Sequence, residues 1–364
     1  MTQMKAVVVL LALGASAYAL VNPIYAEWKQ WKAQYQPVYN TNAEDARRLR
    51  IFAQNKHTML ELNRRYGGSP DGPRFGLNQF ADLTPEEFAA KYLRPIPSDI
   101  PRFAYLPRLS FTTLLPPPPH KHKRTVVDDD DWMGVIAATN KTVKDFPKEK
   151  NWVDDGAVTP VKNQGSCGSC WAFSVAGNME GVYKVAHGEL PSLSEQQLVD
   201  CDHDCMTYKG QKSCDSGCNG GLMPNAMAYG IREGMTTEAE YPYTGKVGTC
   251  QYTTGQGKYR FSEWRAVNGT DADMVAALNE VGPLSVGVDA NMWQFYMGGV
   301  FNLPCGKSLN HGVLLVGYGV KGAKKEFWII KNSWGAGWGE KGYIRLIREK
   351  DKCGVDNFVN TILA

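Results

Sequence analysis

Gln164-Gly165-Ser166-Cys167-Gly168-Ser169-Cys170-Trp171-Ala172-Phe173 is a loop of small residues that runs straight into an apolar segment. From its end Trp171, Val175, Met179, Val182 and Ala186 recur at helical spacing, with Ala and Gly between them that permit close packing against a neighbour. The spacing therefore predicts a helix whose first residue is Cys170. Unpaired N–H groups and the positive end of the helix dipole lie at such a terminus, and both favour a thiolate over a thiol. A thiolate so placed is a nucleophile. Taken alone, Cys167-x-x-Cys170 also fits a redox pair or half of a zinc site, so the decision rests on what lies elsewhere in the chain.

Three further blocks follow in order: Cys218-Asn219-Gly220-Gly221, then Leu309-Asn310-His311-Gly312-Val313, then Lys331-Asn332-Ser333-Trp334-Gly335. His311 stands 141 positions after Cys170 and Asn332 stands 162 after it. The Asn lies slightly further on than the usual Cys-to-Asn spacing. Two apparent insertions account for the excess, one within residues 202–217 and one at the turn Gly322-Ala323-Lys324-Lys325. With these four blocks the chain resembles the papain family of cysteine proteases, of the cathepsin L-like kind and nearest its cathepsin F-like branch. The resemblance implies an α+β fold: a helical domain over about 155–266 and a β-barrel domain over about 267–357, with the active cleft between them. The sequence pattern agrees, since helix signals dominate up to about residue 266. Strand-like runs such as Leu284–Val288, Gly312–Gly317, Glu326–Ile330 and Gly342–Leu346 follow.

The resemblance also implies roles. Cys170 attacks the peptide carbonyl, His311 accepts its proton and later protonates the leaving amine, and Asn332 fixes the imidazole ring. The carboxamide of Gln164 and the backbone N–H of Cys170 form an oxyanion hole. Trp334 shields the His311–Asn332 bond from water. Gly168, Gly220, Gly221 and Asn310 line the cleft, the two adjacent glycines offering backbone to an extended peptide. The main selecting pocket is walled by Leu222, Met223, Gly287 and Leu309, with Phe358 at its far end, which implies a preference for an apolar residue second before the scissile bond. The activity so implied is that of an endopeptidase working through an acyl-enzyme, with no cofactor and no metal. Competing readings are a catalytically dead binding homologue and a thiol-disulfide oxidoreductase built on Cys167 and Cys170.

Nine cysteines leave one unpaired, and the other eight admit on the order of a hundred pairings. The resemblance implies Cys167–Cys218, Cys201–Cys250 and Cys305–Cys353 and a free Cys170, with Cys205 and Cys214 as the remaining pair. A zinc knuckle from Cys201, Cys205, Cys214 and Cys218 with His203 is the rival. A secretory route makes disulfides permissible. Lys5 followed by the apolar run Ala6–Leu13 and by Ala17-Tyr18-Ala19 reads as a signal peptide over residues 1–19, and the run is too short to span a bilayer. The expected destination is a lysosome-like compartment or the exterior, without a membrane anchor once the signal is removed. A net charge of +3 across 364 residues, with both signs mixed, argues against nucleic acid as a partner. Asn140-Lys141-Thr142 and Asn268-Gly269-Thr270 are N-glycosylation sequons.

Residues 20–90 read as helical, with Trp28, Trp31 and Tyr35 on one side of a first helix. Asn42 can cap a second helix that runs to about Tyr66, where Glu44, Arg48, Phe52, Asn55, Met59 and Asn63 share a face. This face, and the later Gly76-x-Asn78-x-Phe80-x-Asp82, are similar to the two prosegment motifs of cathepsin L-type zymogens. They imply that residues 20–90 act as an intramolecular inhibitor whose tail runs through the cleft. Asp82 is expected to have a lowered pKa and so to loosen the prosegment in acid. Residues 91–142 form a linker rich in Pro and charge, carrying Pro116–Pro119, His120, His122 and Asp128–Asp131. Metal binding by the two histidines is a minor reading. The peptidase is expected over 143–364, its mature terminus between Asn140 and Pro147. Peptide substrates, the chain's own prosegment and cystatin-type inhibitors are the implied partners of a monomer.

Overall fold

The computed structural model describes residues 23–97, 134–136, 141–208, 211–322, 325–349 and 352–364. The signal peptide, most of the linker with His120 and His122, and the Asn140 sequon position lie outside them. Among the described residues no helix is long and apolar enough to cross a membrane.

Three helices, α1 (Pro23–Tyr35), α2 (Asn42–Tyr66) and α3 (Pro85–Tyr92), precede the catalytic half of the chain. α1 and α2 meet through aromatic side chains: Trp28 stacks on Trp31 with centroids 5.1 Å apart, and the edge of Phe52 meets Trp28 at 5.2 Å. The cap of α2 is Thr41 rather than Asn42, because Thr41 keeps extended backbone while its Oγ1 accepts the Glu44 N–H at 3.1 Å. The shared face of α2 grips backbone. Asn55 Nδ2 donates to the carbonyls of Ala81 and Leu83, both at 2.8 Å, and Asn63 both donates to and accepts from Phe75. Arg48 bonds Glu44 at 2.6 Å, Glu87 at 2.7 Å and the main-chain carbonyl of Asp82 at 2.9 Å.

Asp82 departs from expectation. Its carboxylate is buried, which raises its pKa, and the Tyr39 hydroxyl at 2.8 Å and the Arg48 charge do not reverse that. The arginine's hydrogen bond goes to the carbonyl, so desolvation wins. Glu87 carries the opposite shift. Burial would raise its carboxyl, but the Thr84 N–H, Arg47 and Arg48 together hold it at about 2.

The strands in chain order are β1 (Arg74–Phe75), β2 (Gly134–Ile136), β3 (Lys150–Asn151), β4 (Cys205–Tyr208), β5 (Gln211–Cys214), β6 (Glu263–Val267) and β7 (Leu284–Val288). They continue with β8 (Tyr296–Gly298), β9 (Val300–Phe301), β10 (His311–Lys321), β11 (Lys325–Lys331), β12 (Tyr343–Ile347) and β13 (Val359–Leu363). Nine of them form one sheet in the order β2-β6-β13-β7-β10-β11-β12-β9, with β3 also on β10. The sheet thus draws strands from both sides of the 267–357 span. α7 (Asp271–Glu280) follows the helices α4 (Cys170–His187), α5 (Glu195–Cys201) and α6 (Met223–Glu233) of the other half. Thr270 caps α7, and both its hydroxyl and the half-buried Asn268 carboxamide, the latter at 2.8 Å, bond Asp273, so the second sequon is built into a helix start.

Ser194 caps α5 through the Gln197 N–H at 3.0 Å, but the return half of a capping box is missing. The Gln197 side chain instead bonds the Thr236 N–H at 2.8 Å and the Gly234 carbonyl at 3.0 Å, which ties α5 to the end of α6. The insertion within 202–217 folds as the β4–β5 hairpin, cross-linked between its directly paired residues Cys205 and Cys214. At its base two buried carboxyl groups, Asp202 and Asp215, bond each other. Their Oδ2 atoms have no donor from elsewhere, so a proton on one of the two is what would let them lie side by side. Burial and then the neighbouring negative charge raise Asp215 well above the carboxylate range, and burial pushes Asp202 up to about 6. The other oxygen of Asp215 accepts the Leu222 N–H at 2.7 Å.

Two large apolar clusters result. One lies in the sheet half and includes Phe75, Phe80, Leu83, Phe88 and Leu93 from the N-terminal region alongside Trp293, Trp334 and Trp338. The other lies between α4, α6 and the β6–β13 end of the sheet.

Candidate active site

Cys170 is the first residue of α4, and Ser169 stands at its N-cap. The nucleophile candidate faces the start of β10. The backbone N–H of Gly312 lies against its sulfur, and a Cβ on Gly312 would stand 3.2 Å from the Cys170 carbonyl oxygen. His311, the first residue of β10, is fully buried. Its Nε2 lies 2.8 Å from Asn332 Oδ1, and the same oxygen accepts the Ser333 N–H at 2.8 Å. An atom that accepts a backbone N–H is the carbonyl oxygen of the amide, so Nε2 carries the imidazole proton. Nδ1 has no protein partner and is left as an acceptor. Trp334 stacks on the ring at 4.7 Å and 26° and is itself buried.

Gln164 is held on every side. Its N–H bonds the Ser333 carbonyl at 2.9 Å, its Oε1 accepts from Ser333 Oγ at 2.7 Å, and its Nε2 donates to the Cys167 carbonyl at 2.9 Å. The second N–H of the same nitrogen is left for an acceptor in the cleft. Cys167 is bonded to Cys218, and Cys201–Cys250, Cys205–Cys214 and Cys305–Cys353 are the other disulfides. Cys170 is the one free thiol among the described residues. A Cys167–Cys170 redox couple therefore has no second thiol, and the sulfurs of the zinc-knuckle reading are consumed in disulfides.

The cleft is occupied by the chain itself. After α3, residues 93–97 run antiparallel to Leu309–Asn310, with the Arg94 N–H on the Asn310 carbonyl at 2.7 Å and the Ile96 N–H on the Leu309 carbonyl at 2.8 Å. Ile96 joins Leu222, Met223 and Phe358 in one apolar cluster, with Leu309 against it. A Cβ on Gly287 would lie 3.2 Å from Ile96, 3.2 Å from Leu309 and 3.3 Å from Phe358. The structure brings these residues together around Ile96. Arg94 lies over Gly168 and Gly220, and its Nε donates to the Cys218 carbonyl at 3.3 Å. Gly221 has a different reason to be glycine, because a Cβ there would meet the Trp171 ring at 2.6 Å. The Asn310 side chain faces away from the tail and accepts the Ala290 N–H at 2.9 Å.

Burial shifts both titrating groups of the site. Burial pushes the Cys170 thiol up, with the N–H groups of Gly312 and Trp171 and the charge of Arg94 opposing. Burial likewise pushes His311 down to about 4, against the Asn332 bond. Burial therefore works against charge on both groups, where the sequence alone leads one to expect a thiolate at the helix terminus.

A free cysteine at a helix N-terminus, a histidine on the facing strand and an asparagine bonded to that histidine are groups of the kinds that can serve as nucleophile, base and orienter. The family profile described as papain family cysteine protease matches residues 146–363, and that described as cathepsin propeptide inhibitor domain (I29) matches residues 28–88. The chain belongs to the papain family. Cysteine proteinase 1 of Dictyostelium discoideum is 41% identical over 338 residues, covering 90% of each chain. Cathepsin F of Drosophila melanogaster is 38% identical over 335 residues, 89% of this chain and 48% of that one. Among solved structures, a recombinant stem bromelain precursor superposes with a TM-score of 0.74 at 34% identity, covering 94% of this chain and 99% of that one. Procathepsin L 3 of Tenebrio molitor larval midgut gives a TM-score of 0.74 at 30% identity, covering 94% and 100%. This papain-family chain is accordingly a cysteine protease with its propeptide.

Two features of the protease had no expression in the sequence pattern. Arg94 and Ile96 lie in a stretch read as linker, although Pro95 and Pro97 bracket Ile96 and favour extended backbone there. Behind the catalytic helix, Lys162 bonds Glu195 at 2.8 Å and Glu180 at 3.3 Å, while buried Lys331 bonds Thr159 at 3.0 Å. These charges are far apart in the chain and had no motif to announce them.

Proposed function

We propose that this protease is an endopeptidase that selects an aliphatic residue second before the scissile bond, and that it stays inactive until the tail at 93–97 leaves the cleft. The observation that carries the reading is Ile96, seated in the pocket of Leu222, Met223, Gly287, Leu309 and Phe358 with its N–H on the Leu309 carbonyl. A substrate side chain would replace that of Ile96, although the peptide direction is reversed by family resemblance.

Once water returns to the site the burial that disfavours charge on both groups is relieved, and Cys170 Sγ passes its proton to His311 Nδ1. The thiolate attacks the carbonyl carbon, and the oxyanion is held by Gln164 Nε2 and the Cys170 N–H. The imidazolium protonates the departing amine, and water activated by the same ring hydrolyses the thioester. Asn332 holds the ring throughout. Four disulfides favour a secretory route to a lysosome-like compartment or the exterior. The mature chain would begin between Asn140 and Pro147 and act as a monomer, and cystatin-type inhibitors would compete for the same cleft.

The pocket decides specificity. An aliphatic side chain gains roughly 1.5 to 3 kcal/mol by full burial, whereas a guanidinium there would be desolvated with no carboxylate among the walls. The test is a peptide series varied only at that residue, run on the processed enzyme and on Phe358→Glu. Leu and Val should exceed Arg in kcat/KM by about 100-fold or more on the wild type, and the variant should gain Arg cleavage. Equal handling of Leu and Arg by the wild type would refute the pocket assignment.

A further inference from the structure

We infer that Tyr243 is a positioning residue for the oxyanion hole, acting through Ser169 and Gln164; the inference rests on the oxyanion-hole reading proposed above. Tyr243 comes from the loop after α6, far in sequence from the catalytic loop. Its hydroxyl donates to the Gln164 carbonyl at 2.9 Å. Its one proton is thereby used, so the Ser169 hydroxyl, 2.7 Å away, must donate to it. The relay runs from Ser169 Oγ through Tyr243 Oη to the Gln164 carbonyl.

The two ends of that relay flank the two donors. Gln164 supplies the carboxamide, and Ser169 is the residue before the Cys170 N–H. Ser169 is fully buried and holds the N-cap position of α4, yet its hydroxyl makes no bond to the helix's own amides. A serine at an N-cap ordinarily makes that bond. Here it is turned away from the helix and spent on Tyr243. The phenol therefore spans the disulfide-anchored loop Gly165–Gly168 from outside and fixes the separation of its ends. The ring is held independently of the hydroxyl by an edge contact with Phe173 at 4.9 Å and 80°, and by the Tyr243 N–H on Glu238 at 3.0 Å. Removing the hydroxyl alone should thus leave the loop folded while freeing the spacing. Burial raises the phenol's pKa to about 12, even with the Ser169 bond opposing, so the proton of the relay stays in place over the working range. None of the atoms of Tyr243 touches the nucleophile or the imidazole in any bond described above, which separates this role from that of Asn332.

The experiment uses enzyme processed from the full chain, a peptidyl-aminomethylcoumarin substrate with leucine second before the scissile bond, and iodoacetamide as a probe of the thiolate. Alkylation displaces iodide from carbon and passes through no oxyanion, so it reports nucleophilicity alone. For Tyr243→Phe the expected result is a fall in kcat of about tenfold, with KM and the alkylation rate each within about twofold of wild type. In a Gln164→Ala background, where one donor is already gone, the same substitution should cost less than about threefold, because two groups acting through one structure are not additive. If Tyr243→Phe does not yield folded enzyme, Ser169→Ala breaks the same relay with the ring intact and should show the same pattern. An unchanged kcat, a parallel fall in alkylation, or an equal loss in both backgrounds would overturn the inference. Failure of the underlying reading looks different: Gln164→Ala itself would then hydrolyse the substrate as fast as wild type.

Discussion

Replacing Ile96 by Ala should release the protease's own brake by a predictable factor. Ile96 is 7% exposed and packs among Leu222, Met223 and Phe358, so nearly its whole side chain is withdrawn from water. Truncation to the β-carbon forfeits most of the roughly 1.5 to 3 kcal/mol gained by burying an isoleucine. The pocket opens to solvent once the tail lifts, so water can refill it and no large cavity penalty is added. About 2 kcal/mol is a fair figure, which makes the tail's open state about 30-fold more populated. The two backbone hydrogen bonds to Leu309 and Asn310 survive the change, so the tail still docks. The assay is alkylation of Cys170 in the intact zymogen at neutral pH, because the thiol, 3% exposed, can react only from the open state. The alkylation rate should rise about 30-fold while the thermal midpoint of the peptidase half is unchanged. Val38→Ala, at a side chain 88% exposed, should change nothing. A rate for Ile96→Ala within twofold of wild type would show that Ile96 does not hold the tail in place.

Two pH effects of opposite sign follow from carboxyl groups in the two halves. Glu87 is held at about 2, below its unfolded value of about 4.3, so its contribution is present above the unfolded value and is lost as pH falls through the folded one. The zymogen should therefore lose less thermal stability between pH 6.5 and 3.5 in Glu87→Gln than in wild type, and equal losses would exclude Glu87 as the acid-sensitive group. Asp202 and Asp215 are raised instead, so their contribution is full below the unfolded value and is lost as pH rises through the folded ones. Asp215→Asn supplies a permanent donor to Asp202 and keeps an oxygen for the Leu222 N–H, so the fall in melting temperature of the processed enzyme from pH 5 to 8 should shrink. An unchanged fall would locate the alkaline sensitivity elsewhere.

The candidate catalytic residues could be picked out because each lies in a local pattern with its own chemistry: small residues leading into an apolar helix at Cys170, and His and Asn at the edges of strand-like runs. The strand at Leu284–Val288 was legible for the same reason, being a short run with apolar residues at alternate positions, next to the turn pair Gly282-Pro283. What the chain did not disclose is decided by partners distant in sequence. Thr41 and Asn42 are both competent caps, and only the backbone shows which one stays extended. Asp82 looked like a residue that should pair with a cation. Whether a carboxylate's pKa falls or rises depends on how much water it keeps against where the nearest guanidinium points, and Arg48 points at the carbonyl. Gln197 stands three residues after the cap Ser194, yet its side chain bonds Thr236 instead of returning to the cap. Ile96 was hidden by its surroundings, since a proline-rich stretch reads as spacer until something lies beneath it.

The contact between α4 and β10 sets what kind of machine this can be. A Cβ on Gly177 of α4 would stand 2.8 Å from Leu314 of β10, and one on Gly312 would press on the first turn of α4. The helix that carries Cys170 and the strand that carries His311 are therefore in direct contact over a long seam, with no slack layer between them. Such a pair has no hinge. Opening and closing the two halves would break the catalytic spacing instead of gating it, so the protein has little room to switch itself off by changing shape. What remains is to control who sits in the groove. A single chain that carries its own occupant, to be destroyed once, is the form of control a rigid cutter leaves available.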